Sequence, residues 1–186
     1  MSFDNLQDEI YTALANLAIA ALNPGWHYDT GTSKWTNGTL SQNAPPIPVI
    51  QDMQDEGAPT TGPYLTIQQT PTLDRIGLGP NSTQQDSTGA RSRNQPYTAE
   101  VKLEETNSPG NLLVRVRDFV DTEEGMAILD ASNVGILDFG EIREFSMVLD
   151  GRWFTQIQSH VTCTIASSTP ETFSYINTMN ATGTLN

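Results

Sequence analysis

From Trp153 onward the chain alternates cleanly. Trp153, Thr155, Ile157, Ser159, Val161, Cys163 and Ile165 form one set, and Phe154, Gln156, Gln158, His160, Thr162 and Thr164 form the other. A period of two over this length predicts a strand with one face on a core and one mostly wet. The preceding stretch from residue 133 also reads as one long strand. Between them Asp150-Gly151 tolerates the positive φ angles of a two-residue turn, so residues 133–166 are expected to form a long hairpin. At the other end of the chain the period changes. Leu6, Ile10, Leu14, Leu17 and Ala21 recur at three- and four-residue spacing, which predicts a helix over residues 3–22. Ser2 or Asp4 is placed to cap it, Asp4, Asp8 and Glu9 suit its positive end, and Asn23-Pro24-Gly25 stops it.

Between these ends the signals are shorter. Ile47 to Ile50 is an apolar run broken by Pro48, an edge strand at best. Residues 64–68 read as a strand. Tyr97, Ala99, Val101 and Leu103 alternate with Thr98, Glu100, Lys102 and Glu104 and predict another. Ser108-Pro109 is read as cap and first residue of a helix whose buried stripe is Leu112, Leu113, Val116, Phe119 and Val120. Thr122-Glu123-Glu124 starts a second short helix. Residues 26–46 form an excursion, read as a small hairpin around Asp29-Thr30-Gly31-Thr32. Its Trp26 and Trp35 serve either as a lid over the edge of the core or as a partner contact. Residues 70–96 are polar with few apolar anchors, and are expected to form a long loop carrying Arg91 and Arg93, candidate partner-contact residues.

The expected architecture is α+β: an antiparallel or mixed β-sheet with a long C-terminal hairpin, an N-terminal helix and a helical pair packed on it, and long loops. Residues 1–166 make one domain and residues 167–186 an extended polar tail. Shared periodicity assigns the core to Leu14, Leu17, Leu65, Ile67, Val101, Leu103, Leu113, Val116, Phe119, Leu129, Ile157, Val161 and Ile165.

Composition narrows the function. Hydrophobic residues make up 37% of the 186, a modest core for so many loops. With 9 Lys+Arg against 22 Asp+Glu the net charge is −13, a poor endowment for gripping nucleic acid. The same charge serves solubility, or a surface that repels passing DNA. The single cysteine, Cys163, excludes an internal disulfide and lies on the apolar set of the last strand. The acidic N-terminus is not a signal peptide, and no run approaches the roughly 20 apolar residues of a membrane span.

Catalytic readings fail in turn. His27 and His160 are the only histidines, and neither accompanies a Gly-x-Ser-x-Gly elbow. Two separated histidines and one cysteine give no zinc spacing, and Asp29 to Asn37 lacks the calcium-loop pattern. Gly77-Leu78-Gly79-Pro80 lacks the Lys-Ser/Thr of a phosphate cradle. No enzyme activity, metal or cofactor is expected.

The order of elements, with Val49-Ile50 through Gln54 to Pro59, Gly62-Pro63-Tyr64, the Tyr97 to Leu103 strand and the closing hairpin, resembles the phage neck or tail terminator family over about residues 3–166, apart from the excursion. That resemblance implies a virion structural protein made in the host cytoplasm. Copies would form a ring, of six by the resemblance, capping the tail. The ring's partners would be the head-side connector or head-completion protein above and the tail tube, with any sheath, below. DNA would pass through without specific binding, and no membrane is involved. The alternatives are another phage tube or head-completion protein, or a β-rich carbohydrate- or ligand-binding module using Trp26, Trp35 and Trp153 as a stacking platform.

Overall fold

A computed structural model describes residues 3–51, 62–76, 83–85, 91–108, 111–149 and 152–170. The first helix, α1, spans Phe3–Leu22, as its apolar spacing predicts. A three-stranded antiparallel meander follows: β1 His27–Asp29, β2 Lys34–Asn37 and β3 Leu40–Gln42. The main sheet has seven strands: β4 Val49–Gln51, β5 Tyr64–Arg75, β6 Thr83–Gln85, β7 Arg91–Thr106, β8 Val134–Phe139, β9 Arg143–Leu149 and β10 Arg152–Pro170. Two helices, α2 Leu112–Val120 and α3 Glu123–Ala131, link β7 to β8.

The sheet is mixed: β4 runs parallel to β5, while β5, β7 and β10 are antiparallel neighbours. The long β10 pairs with β7 from Gln156 to Pro170 on one side. On its other side it pairs first with β9 and then with β8. All three helices lie on one face of the sheet, with α1 packed against α2, α3, β5, β4, β10 and β8. The core lies between these two layers. From α1 it takes Ile10, Leu14 and Leu17, and from α2 Leu113 and Val116. From the sheet it takes Leu65, Ile67, Val101, Leu103, Val161 and Ile165. The alternation of β10 is confirmed from Ile157 to Ile165, all odd positions buried; Phe119 alone of the expected core is only partly buried.

Polar groups fix the joints. Asn23, nearly inaccessible, closes the end of α1: its Nδ2 donates to the Ile19 carbonyl (3.2 Å) and the Ile47 carbonyl (3.1 Å), and its Oδ1 accepts from the Ile47 N–H (2.8 Å). Arg115 reaches from α2 to donate through Nη2 to the Ala21 and Leu22 carbonyls, both at 3.0 Å, neutralising the negative end of α1. Thr122-Glu123-Glu124 starts α3 as expected, and Thr122 caps it, accepting from the Gly125 N–H at 3.0 Å. Gly125 is required there, because a Cβ would lie 2.1 Å from the Phe119 carbonyl oxygen.

Several expectations are corrected. The stretch at 70–96 is largely strand rather than loop: β5 runs on to Arg75 past an irregularity between Gln69 and Leu73, and β7 starts at Arg91. The N-cap of α2 is Asn111, without a side-chain cap bond, and not Ser108; residues 109–110 lie outside the described residues. The capping bond comes from Glu105, whose Oε2 accepts from the Leu113 N–H at 2.9 Å. The single strand expected before the Asp150-Gly151 turn is two strands, β8 and β9. They are separated at Gly140, where a Cβ would meet the His160 carbonyl at 2.9 Å. The turn itself and the Ser2 cap fall outside the described residues, though the Leu149 to Arg152 pairing fits the hairpin. The excursion is a three-stranded meander instead of one hairpin. The last strand continues past Ser167 to Pro170.

Candidate assembly surfaces

Three surfaces escape the core. The first is the sheet face away from the helices. On β7 and β10 it carries Glu100, Lys102 and Glu104 opposite Thr162, His160 and Gln158. Lys102 Nζ lies 2.8 Å from Glu104 Oε2, and Gln156 Nε2 donates to the other Glu104 oxygen. His160 Nδ1 meets Glu100 Oε1 at 2.5 Å, both side chains more than half exposed. At the β9 side a shallow notch of about 280 Å³ is lined by Glu141, Arg143, Phe145, Gln158 and His160. Arg143 Nη2 pairs there with Glu141 Oε2 at 2.9 Å. With Asp74 and Asp138 also exposed, carboxylates outnumber cations on this face. The Arg143–Glu141 and His160–Glu100 pairs are exposed and contribute little stability, so this part of the face is a charged surface and not a latch. Nothing on it is arranged as nucleophile and base, and no group of potential metal ligands occurs among the described residues.

The second surface is a ribbon at the Pro170 end of the sheet. Here β6 pairs with the start of β7, Thr83 opposite Arg93 and Gln85 opposite Arg91, while β10 flanks β7 on the other side, Thr169 opposite Arg93. Arg91 and Arg93 therefore stand at neighbouring same-side positions of a strand, in place of the expected loop. The sequence hid this because a ribbon held by main-chain hydrogen bonds needs no apolar alternation.

The third is the meander. Its register sets Tyr28 opposite Trp35, Trp35 opposite Gln42, and Asn37 opposite Leu40. One face therefore carries Tyr28, Trp35, Asn37, Leu40 and Gln42, with Trp26 preceding β1 in the same alternate set. The other face carries His27, Asp29, Lys34, Thr36 and Ser41. Tyr28 and Trp35 rings meet at 5.8 Å between centroids. On the polar side Asp29 closes the β1–β2 turn, accepting from the Gly31 N–H (2.9 Å) and the Thr32 hydroxyl (2.7 Å). The Thr32 hydrogen bond, then the Gly31 one, lowers the carboxyl pKa. Neither tryptophan packs against the main core, so they form no lid over it. The structure sets Trp26 and Trp35 on the same face of the meander and Arg91 and Arg93 on a different element. Trp153 belongs to β10 of the main sheet, apart from that pair. Tyr28, missed as a site residue, alternates with Trp26 in sequence, whereas Leu40 joins the face only through its register with Asn37.

Cys163 is fully buried opposite Ala99, and desolvation pushes its thiol pKa up from 9.0 to about 12. The thiolate is the reactive form, so the native thiol should resist maleimide at pH 7–8 and react on unfolding. Between pH 9 and about 12 the unfolded thiol loses its proton first, so this group subtracts stability as pH rises there and contributes no slope below. Rapid labelling of the native protein would show that the strand is not packed as described.

The family model described as phage neck terminator protein matches residues 7–186. The matched span takes in the excursion and the polar tail, which the sequence resemblance left out. No curated protein matches the chain.

Proposed function

The chain belongs to the phage neck terminator family, a structural component of the phage virion at the neck, and on that premise we propose that it is a ring-forming subunit. The ring closes the upper end of the tail, meets the head-side connector and the tail tube, and leaves a channel for DNA. It has six copies by the family resemblance and carries out no reaction of its own. The observation that carries this reading, beyond family membership, is the pairing of an acid-rich open sheet face with a chain of net charge −13. We assign that face, with Glu100, Asp138 and Glu141 exposed on it, to the channel wall. A wall of like charge keeps a polyanion moving, whereas a cationic wall would hold it through counterion release. The same charge opposes association of free subunits at low salt, so self-association should rise with ionic strength. Purified protein titrated with duplex DNA at low ionic strength should show no binding. Tight binding, or association that weakens with added salt, would contradict the assignment.

The ribbon bearing Arg91 and Arg93 is proposed to contact an adjacent subunit or the tail tube. Its strands carry main-chain bonds and few apolar residues in sequence, so its amides should exchange fast in the free subunit and slow in the assembled particle. Equal, rapid exchange in both states would remove the contact.

A further inference from the structure

We propose that the aromatic face of the meander is the seat for residues 171–186 of a neighbouring copy, so that each subunit holds the tail of the next. Tyr28 is 49% exposed and Leu40 61%, beside half-buried Trp26, Trp35, Asn37 and Gln42. A three-stranded sheet this small has too little buried surface to hold its shape alone, and an apolar face left in water calls for a second layer or a further strand.

The segment following β10 has the matching composition. It carries Phe173, Tyr175, Ile176 and Met179, and Glu171 is its only charged side chain. In a chain of net charge −13 that neutrality is what a segment laid over an aromatic surface needs. Phe173 and Tyr175 are spaced to share one face of an added strand. The family match also runs through residue 186, so the segment belongs to what the family model describes.

Placement decides whose tail it is. The meander is rooted where Asn23 binds Ile47, just before β4. Val49 of β4 stands beside Leu65, Leu65 beside Glu105, and Glu105 beside Ile157, so the meander springs from the Ile157 end of β10. The tail departs from Pro170, about 40 Å away along the strand. Fully extended, residues 171–186 span at most about 55 Å. To reach its own meander a tail would have to double back almost straight along its own sheet. A neighbour whose meander sits beyond the Pro170 end requires no such return. The resulting contact joins two different surfaces, head to tail, the kind that closes into a ring when the rotation permits. This inference rests on the ring reading above, and deepens it.

The test uses full-length chains and a fluorescently labelled synthetic peptide of residues 171–186. The peptide should bind wild-type protein at low salt, where subunits are free, and at least tenfold more weakly to the doubly substituted Tyr28→Ser, Leu40→Ser chain. Both side chains are exposed, so that chain should keep the wild-type melting curve. A Phe173→Ser, Tyr175→Ser chain should bind the peptide normally yet fail to self-associate. Mixed with the meander variant it should form one-to-one pairs that grow no further. Absent peptide binding, binding unaffected by the meander substitutions, or normal self-association of either variant would overturn the tail-in-meander contact. Rings that form despite that outcome would leave the ring reading standing, while peptide binding without any ring would remove the ring reading alone.

Discussion

Val161→Asp yields no folded subunit. Val161 is inaccessible to solvent, opposite Val101 on β7 and Phe139 on β8, under the helical layer. A carboxylate there has no cation among its neighbours in register and must stay charged without water or take up a proton. Either way the cost is several kcal/mol, comparable with the roughly 5–15 kcal/mol by which a domain of this kind is folded. Ala166→Asp, on the exposed face of the same strand, should change stability by less than about 1 kcal/mol. Thermal denaturation of both proteins separates a face effect from a general intolerance of β10. Equal melting temperatures for wild type and Val161→Asp would reject the two-layer packing.

Glu105→Ala has the second-largest expected effect. Glu105 continues the inward set of Tyr97, Ala99, Val101 and Leu103, and is 1% exposed between Leu65 and Ile157 on the adjacent strands. A carboxylate in that position is tolerated because the first turn of α2 comes down on it, with the Leu113 N–H 2.9 Å from Oε2. The other oxygen is buried without a hydrogen-bond partner. The residue therefore takes the place of the missing side-chain cap at Asn111 and ties the sheet to α2. Alanine would strand the helix N–H groups and open a cavity, for a loss of about 2–4 kcal/mol, or roughly 5–15 °C in Tm. Glu105→Gln keeps an acceptor and should fall between. A variant as stable as wild type would show that the bond to α2 is dispensable.

How much the sequence revealed depended on what holds each element. α1 and the β10 face were legible because each buries apolar side chains at a fixed period, and burial is what periodicity records. The strand nature of residues 70–75 and 91–96 was not, since Leu73 is their only apolar side chain besides proline and the pairing is carried mainly by main-chain bonds. The role of Glu105 was hidden for a related reason. Its position in the alternation was readable, but the partner that makes its burial acceptable lies across a turn from it in α2. Local rules favoured Ser108-Pro109 as the helix start, and the tertiary contact prevailed. Of the candidate surfaces, Trp26 and Trp35 were visible as residues. Their union with Tyr28 and Leu40 on one face became plain only with the register of the three strands. The crowding of carboxylates on the open face follows likewise from pairing Glu100, Lys102 and Glu104 with β10, which no linear reading supplies.

The central claim, a ring subunit at the neck, is tested most directly by an electron cryomicroscopy map of the virion's head–tail junction. Copies of this fold are expected in a closed ring on the tail axis, six by the family resemblance. Their open sheet faces turn to the channel, and density for residues 171–186 lies on the neighbour's meander. A single copy off the axis, or a neck without this fold, would contradict it.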